Sequence, residues 1–254
     1  MKKIINWKLF FILLATSTIT SLMVLPYALT LSSSNITITP VLLAAQMIQS
    51  IVLYSIAIFL GLLLVKRTGF KMPILDGSLK GKEAKKYLKS ILGISISLGI
   101  LAGILIILFS LPFGSLSSSF LQAEVSVSTW KSLLASFYGG ISEEILLRLC
   151  LMTFLVWITF KIKKTKDGLP TTVGIWAAII ISSIIFGLGH LPVTSAITAI
   201  TPIVVIRAIA LNGIGGIIFG WLYWKKGLES AMISHFSADI VLHVALPIIA
   251  SLFI

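Results

Sequence analysis

"FYGGISEEILLRLCLMTF", residues 137–154, lies in a run apolar enough to cross a bilayer, yet it holds Glu143, Glu144 and Arg148. How this stretch is read decides the fold, and its surroundings decide how it is read. Of 254 residues, 57% are hydrophobic and only 11% charged, against about 25% charged in soluble domains. The mean hydropathy of +1.09 is that of an integral membrane protein. No charged residue occurs in 9–65, 90–123 or 168–206, and a spanning helix needs about 20 mostly apolar residues. The stretch is therefore a membrane helix with charges inside it.

The net charge of +12 does not indicate nucleic acid. Seventeen of the 20 Lys and Arg lie at the N-terminus or in 66–89, 161–166 and 225–226, at the ends of apolar runs. Such clusters set topology, with the basic side cytoplasmic. The partner expected from this pattern is the lipid bilayer, not nucleic acid. The opening "MKKIINWKLFFILLATS" has no cleavage site after its apolar core, so it reads as an uncleaved first helix with a cytoplasmic N-terminus. Cys150 is the single cysteine, which excludes an intrachain disulfide.

The expected architecture is all-α: one polytopic membrane domain over 1–254, with N-terminal helices in 1–127 and the charged helices in 128–250. Helices are expected over 7–29, 41–65, 90–111, 130–160, 171–191 and 228–252. The segment 192–224 reads either as one crossing or, split at Pro202 and Arg207, as two. The total is seven or eight. The stretch "GKEAKKYLKS" reads as a solvated basic loop, and 112–129 as an outer serine-rich loop.

An ionisable side chain inside a spanning helix costs at least roughly 2.5–3.5 kcal/mol and marks a functional site by default. The set here is Glu143, Glu144, Arg148, His190, Arg207, His235, Asp239 and His243. Glu144 and Arg148 are four apart and can pair, whereas Glu143 points about 100° away. His235 and Asp239 are also four apart, and His243 is one step further, as a rim group or in a relay with Asp239. Glu143 and His190 lie at similar distances from the loop joining their helices. His235 lies only nine residues past Lys226, too shallow for that height unless 192–224 crosses twice. That mismatch favours eight crossings.

A carboxylate and an imidazole in a hydrated intramembrane cavity can activate water toward a carbonyl, and a second imidazole can face the oxyanion. The same donors, Glu143, His190, His235 and Asp239, are those of a divalent metal site such as zinc, although no HExxH pattern occurs. A proton-relay transporter is the alternative of another class.

"EEILLR" (143–148), "FGLGH" (186–190) and "HFSAD" (235–239) resemble, in order, the three motifs of the CAAX prenyl protease and bacteriocin-processing (ABI) family of intramembrane proteases. The resemblance covers about 128–250 and implies an endopeptidase cutting near or within the membrane. It implies that Glu143 activates water with His190, and that His235 and Asp239 form the oxyanion site. Glu144 and Arg148 match the remaining motif positions. A non-catalytic scaffold or bacteriocin self-immunity protein on the same fold is the rival within the family. The chain departs from the motif at Asp239, where asparagine is common. An ionised carboxylate repels an oxyanion, so Asp239 must be protonated, act through His235 or bind a cation.

Overall fold

The computed structural model describes residues 5–32 and 37–253. The basic start at Lys2 and Lys3, and Asn35 of the "NIT" pattern, lie outside it. Among the described residues, seven helices are long and apolar enough to cross a bilayer. They are α1 (Trp7–Leu31), α2 (Pro40–Thr68), α3 (Gly81–Phe113), α4 (Thr129–Ile162), α5 (Thr172–Thr194), α6 (Pro202–Lys226) and α7 (Leu228–Ala250). No strand occurs among the described residues, as expected where every backbone group must be satisfied within lipid.

Local chemistry sets the boundaries. Thr39 accepts from the Leu42 N–H at 3.2 Å, with Pro40 opening α2. Thr171 accepts from the Gly174 N–H at 3.1 Å and opens α5. Both cap orphan donors of a first turn. α2 ends on Gly69 at φ +76°, a left-handed stop that glycine takes without penalty.

Two expectations are corrected. The basic stretch "GKEAKKYLKS" is not a loop: α3 begins at Gly81 and carries it as its first turns. Lys, Glu and Ala are good helix formers, so the helix continues past its apolar part. The serine-rich loop after α3 contains a short helix, Ser115–Val125.

The preference for eight crossings is also corrected. Only a one-turn piece, Leu191–Thr194, follows His190, and Pro202–Lys226 is a single helix. Pro202 stands in its first turn, where a missing N–H breaks no bond. With seven spans, 66–89, 161–166 and 225–226 all fall at one end of the bundle, without a breach of the charge rule.

The height mismatch at His235 is resolved by unequal helix lengths. His235 bonds Glu144, eight residues past the turn at Gly227 and 18 before the end of α4. At 1.5 Å per residue, α4 overhangs that turn by about 15 Å. The α2–α3 loop lies under it. The Leu228 N–H donates to the Lys71 carbonyl at 3.0 Å. The Ile74 and Leu75 N–H groups donate to Glu229 Oε1 at 2.8 and 3.0 Å. The Tyr87 hydroxyl donates to the Lys226 carbonyl.

Small residues bring the helices close. A Cβ on Gly99 of α3 would collide with the Ser234 carbonyl oxygen of α7. Ser95 and Ser230 bond across the same seam at 2.7 Å. Gly187 and Gly216 seat α5 on α6, at Ile209 and Ser183 respectively. Gly189 and Gly213, by contrast, would each carry a Cβ with no neighbour within 4 Å. The main core, which includes Leu13, Ile58, Ile145, Leu149, Met152, Ile179 and Phe219, fills the bundle on the basic side of the carboxylates.

Candidate active site

Helix α4 is not a regular α-helix where it carries the motif. Residues Tyr138–Glu143 and Ile145–Met152 are π-helical, a wider turn found mostly at functional sites. Thr153 donates to the Arg148 carbonyl at 2.9 Å and bonds the Tyr223 hydroxyl at 2.8 Å. Helix α7 turns π-helical just after Asp239, over Ile240–Ala245. The spacing of apolar residues gives no sign of these turns.

The π-turns leave Glu144 and Arg148 on one face. Arg148 Nε lies 3.3 Å from Glu144 Oε2, both side chains fully buried. The other oxygen, Glu144 Oε1, is 2.8 Å from His235 Nδ1. Glu144 is therefore more than a partner for Arg148, because it orients the imidazole of the third motif directly. Two aromatic rings complete the surround. The Arg148 guanidinium lies 5.7 Å from the Phe186 ring and 5.9 Å from the Phe219 ring, an electrostatically favourable setting for a cation. Phe219 stacks on the His235 ring at 4.5 Å and 19°. No pattern in "GIIFGWLYW" singles Phe219 out, because its contact comes only from how α6 packs.

The second nitrogen of His235, Nε2, faces two more carboxylates. Glu143 Oε2 and Asp239 Oδ1 are each 3.6 Å from it. Space for Asp239 comes from α4: a Cβ on Gly139 would collide with Asp239 Oδ2 and stand 3.2 Å from His235 Nε2. Beside Glu143, Ser142 bonds Thr20 of α1 at 2.6 Å and donates to the Ser17 carbonyl at 3.2 Å.

His190 stands apart. Its Nδ1 is 2.9 Å from the Phe186 carbonyl, which leaves Nε2 for other partners. Its ring packs edge-on to Phe186 at 4.7 Å, and Phe186 also meets the His235 ring edge-on at 5.5 Å. Phe186 thus touches both imidazoles. Among the described residues His190 makes no ion pair with Glu143. Arg207 is not part of the cluster; its guanidinium lies over Phe120 at 4.0 Å. His243 belongs to a neighbouring group: its Nδ1 is 3.1 Å from Glu124 Oε1 and 3.1 Å from the Tyr27 hydroxyl. Tyr27 donates to Glu124 at 2.5 Å.

Among the described residues, no three or more His, Cys, Asp or Glu are arranged to hold a metal ion. Two surface hollows, one at Ile5–Lys8 and Lys66 and the other at Leu62, Phe70 and Met72, lie at the basic end and include none of these residues.

A bundle of apolar helices closing on a carboxylate–imidazole cluster defines a polytopic membrane protein with an ionisable site inside it. The family model that matches is Rce1-like, described as Type II CAAX prenyl endopeptidase Rce1-like, over residues 125–241. The match takes in all three motifs and agrees with the resemblance they carry to the CAAX prenyl protease and bacteriocin-processing family. No curated protein and no solved structure matches the chain.

Proposed function

We propose that this chain is an intramembrane endopeptidase in which a carboxylate activates water without a metal. The observation that carries the reading is the convergence of Glu143, His235 and Asp239 within 3.6 Å inside an apolar bundle, braced by Glu144 and Arg148. Glu143 takes a proton from a water held between it and His190 Nε2. The water oxygen bonds the scissile carbonyl carbon, and the carbonyl electron pair moves to oxygen. His235 donates to that oxyanion from Nε2–H as the imidazolium, its Nδ1–H being already given to Glu144 Oε1. Collapse expels the amine, which leaves with the proton held by Glu143. Asp239 acts through His235: it lies beside Nε2 and holds the ring's outer edge.

A transporter would need proton carriers from one face to the other. On α4 no acid or imidazole follows Arg148 before the Lys161 end, and Ile145, Leu149, Met152 and Val156 are buried there. The protease reading expects a multi-pass protein of the cell membrane, its basic clusters cytoplasmic, acting on a peptide or membrane-protein substrate. The Glu143→Gln variant is expected to lose cleavage by about 10²–10⁴-fold, the usual share of acid–base catalysis. Mass spectrometry of membrane peptides from cells with each form, beside a thermal unfolding scan, checks this. Unchanged peptides with a folded variant would favour a scaffold or immunity role.

A further inference from the structure

Accessibility within the ionisable cluster rises in one direction. Along α7, the side-chain exposure is 5% at His235, 11% at Asp239 and 30% at His243. On α4, running the opposite way, Arg148 and Glu144 are at 0% and Glu143 at 21%. Both gradients increase away from the end that bears 66–89, 161–166 and 225–226. Toward that end the site is stoppered by Ile145, Leu149, Met152, Phe219 and Leu222, all buried.

At the open end, three separate elements meet. Tyr27 comes from the last turns of α1, Glu124 from the short helix Ser115–Val125, and His243 from the π-turn of α7. They close a mutual triangle at 2.5, 3.1 and 3.1 Å. His243 lies one turn past Asp239 on the same helix, so this triangle stands next to the cluster and further out. None of its members lies in the three motifs.

We propose that substrate reaches Glu143 from the extracytoplasmic side, through a mouth framed by Tyr27, Glu124 and His243. The substrate class is then an extended peptide on that side: an exported peptide, or the outer juxtamembrane segment of a membrane protein. The proposal rests on the proteolytic reading for its substrate, but its geometry does not. The triangle supplies a hydroxyl, a carboxylate and an imidazole, the groups that pair with the amides of an extended chain, whereas the opposite end of the site offers packed apolar side chains.

The test uses the full chain in native membranes, with Cys150→Ser removing the only thiol. Asp239→Cys and His243→Cys are made singly, and each is exposed to a small charged methanethiosulfonate in intact cells and in inverted vesicles. Gln122→Cys and Lys166→Cys report the two faces. The expected result is an adduct mass shift at positions 239, 243 and 122 from outside only, and at 166 from the inverted face only. Modification of position 239 from the inverted face, or from neither, overturns the proposal. The two sources of peptide separate by whether cleaved products are released to the medium or remain in the membrane. Outer labelling together with cleavage that survives Glu143→Gln would remove the catalytic reading and leave the sidedness standing.

Discussion

His235 is held by contacts on three sides: Glu144 at Nδ1, Glu143 and Asp239 at Nε2, and the Phe219 ring against its face. Only one arrangement of the ring satisfies all of these, so small intrusions should matter more for chemistry than for folding. Gly139 is the sharpest case. A methyl there meets the far end of the Asp239 side chain, which can rotate away. Gly139→Ala is therefore expected to displace the carboxylate from His235, lowering turnover steeply while the melting temperature barely moves. Gly189→Ala, with open space around it, is the matched control; equal turnover in the two variants would show that Gly139 does not serve Asp239. At this scale the motif residues were legible because an ionised group in lipid is expensive and therefore rare. Tyr27, Glu124 and Phe219 were not. Tyrosine and phenylalanine are ordinary in such helices, and Glu124 reads as the single charge of an outer loop.

The apolar runs made the helices themselves legible, including both ends of α5 to within a few residues. What the pattern could not carry was the change of pitch. A π-turn alters which faces converge without altering which residues are apolar, so the spacing pairs Glu144 with Arg148 alone. Packing between elements was partly legible through glycine, but Gly99, facing the residue before His235, sits in a helix without motifs. Here the clash is with backbone, so neither partner can turn aside. Gly99→Ala is expected to push α3 off α7, costing about 1–3 kcal/mol, typical of overpacking, with a matching fall in cleavage. Gly93→Ala, on the same helix with nothing within 4 Å, should leave both unchanged. Comparative thermal unfolding in detergent decides between them.

For the molecule as a whole, seven crossings place the two termini on opposite faces, whereas eight would return the chain to its starting side. Reporter domains fused before Trp7 and after Phe253 are expected to read out in different compartments. Readout in the same compartment would restore the second crossing in 192–224. The number of crossings was not legible because charge and height point in different directions along the chain. The conflict disappears once the α6–α7 turn is lifted by the Lys71–Leu75 loop beneath it.

That lifted turn has a consequence for synthesis on the ribosome. The loop that receives Leu228 and Glu229 is translated long before the hairpin it supports, so the seat exists before its occupant. His235 arrives on α7, after Glu143 and His190 are already in the bilayer. On the proposed mechanism, a nascent chain that has not yet made α7 carries Glu143 without the imidazole opposite it, and stays chemically silent until that helix is in place.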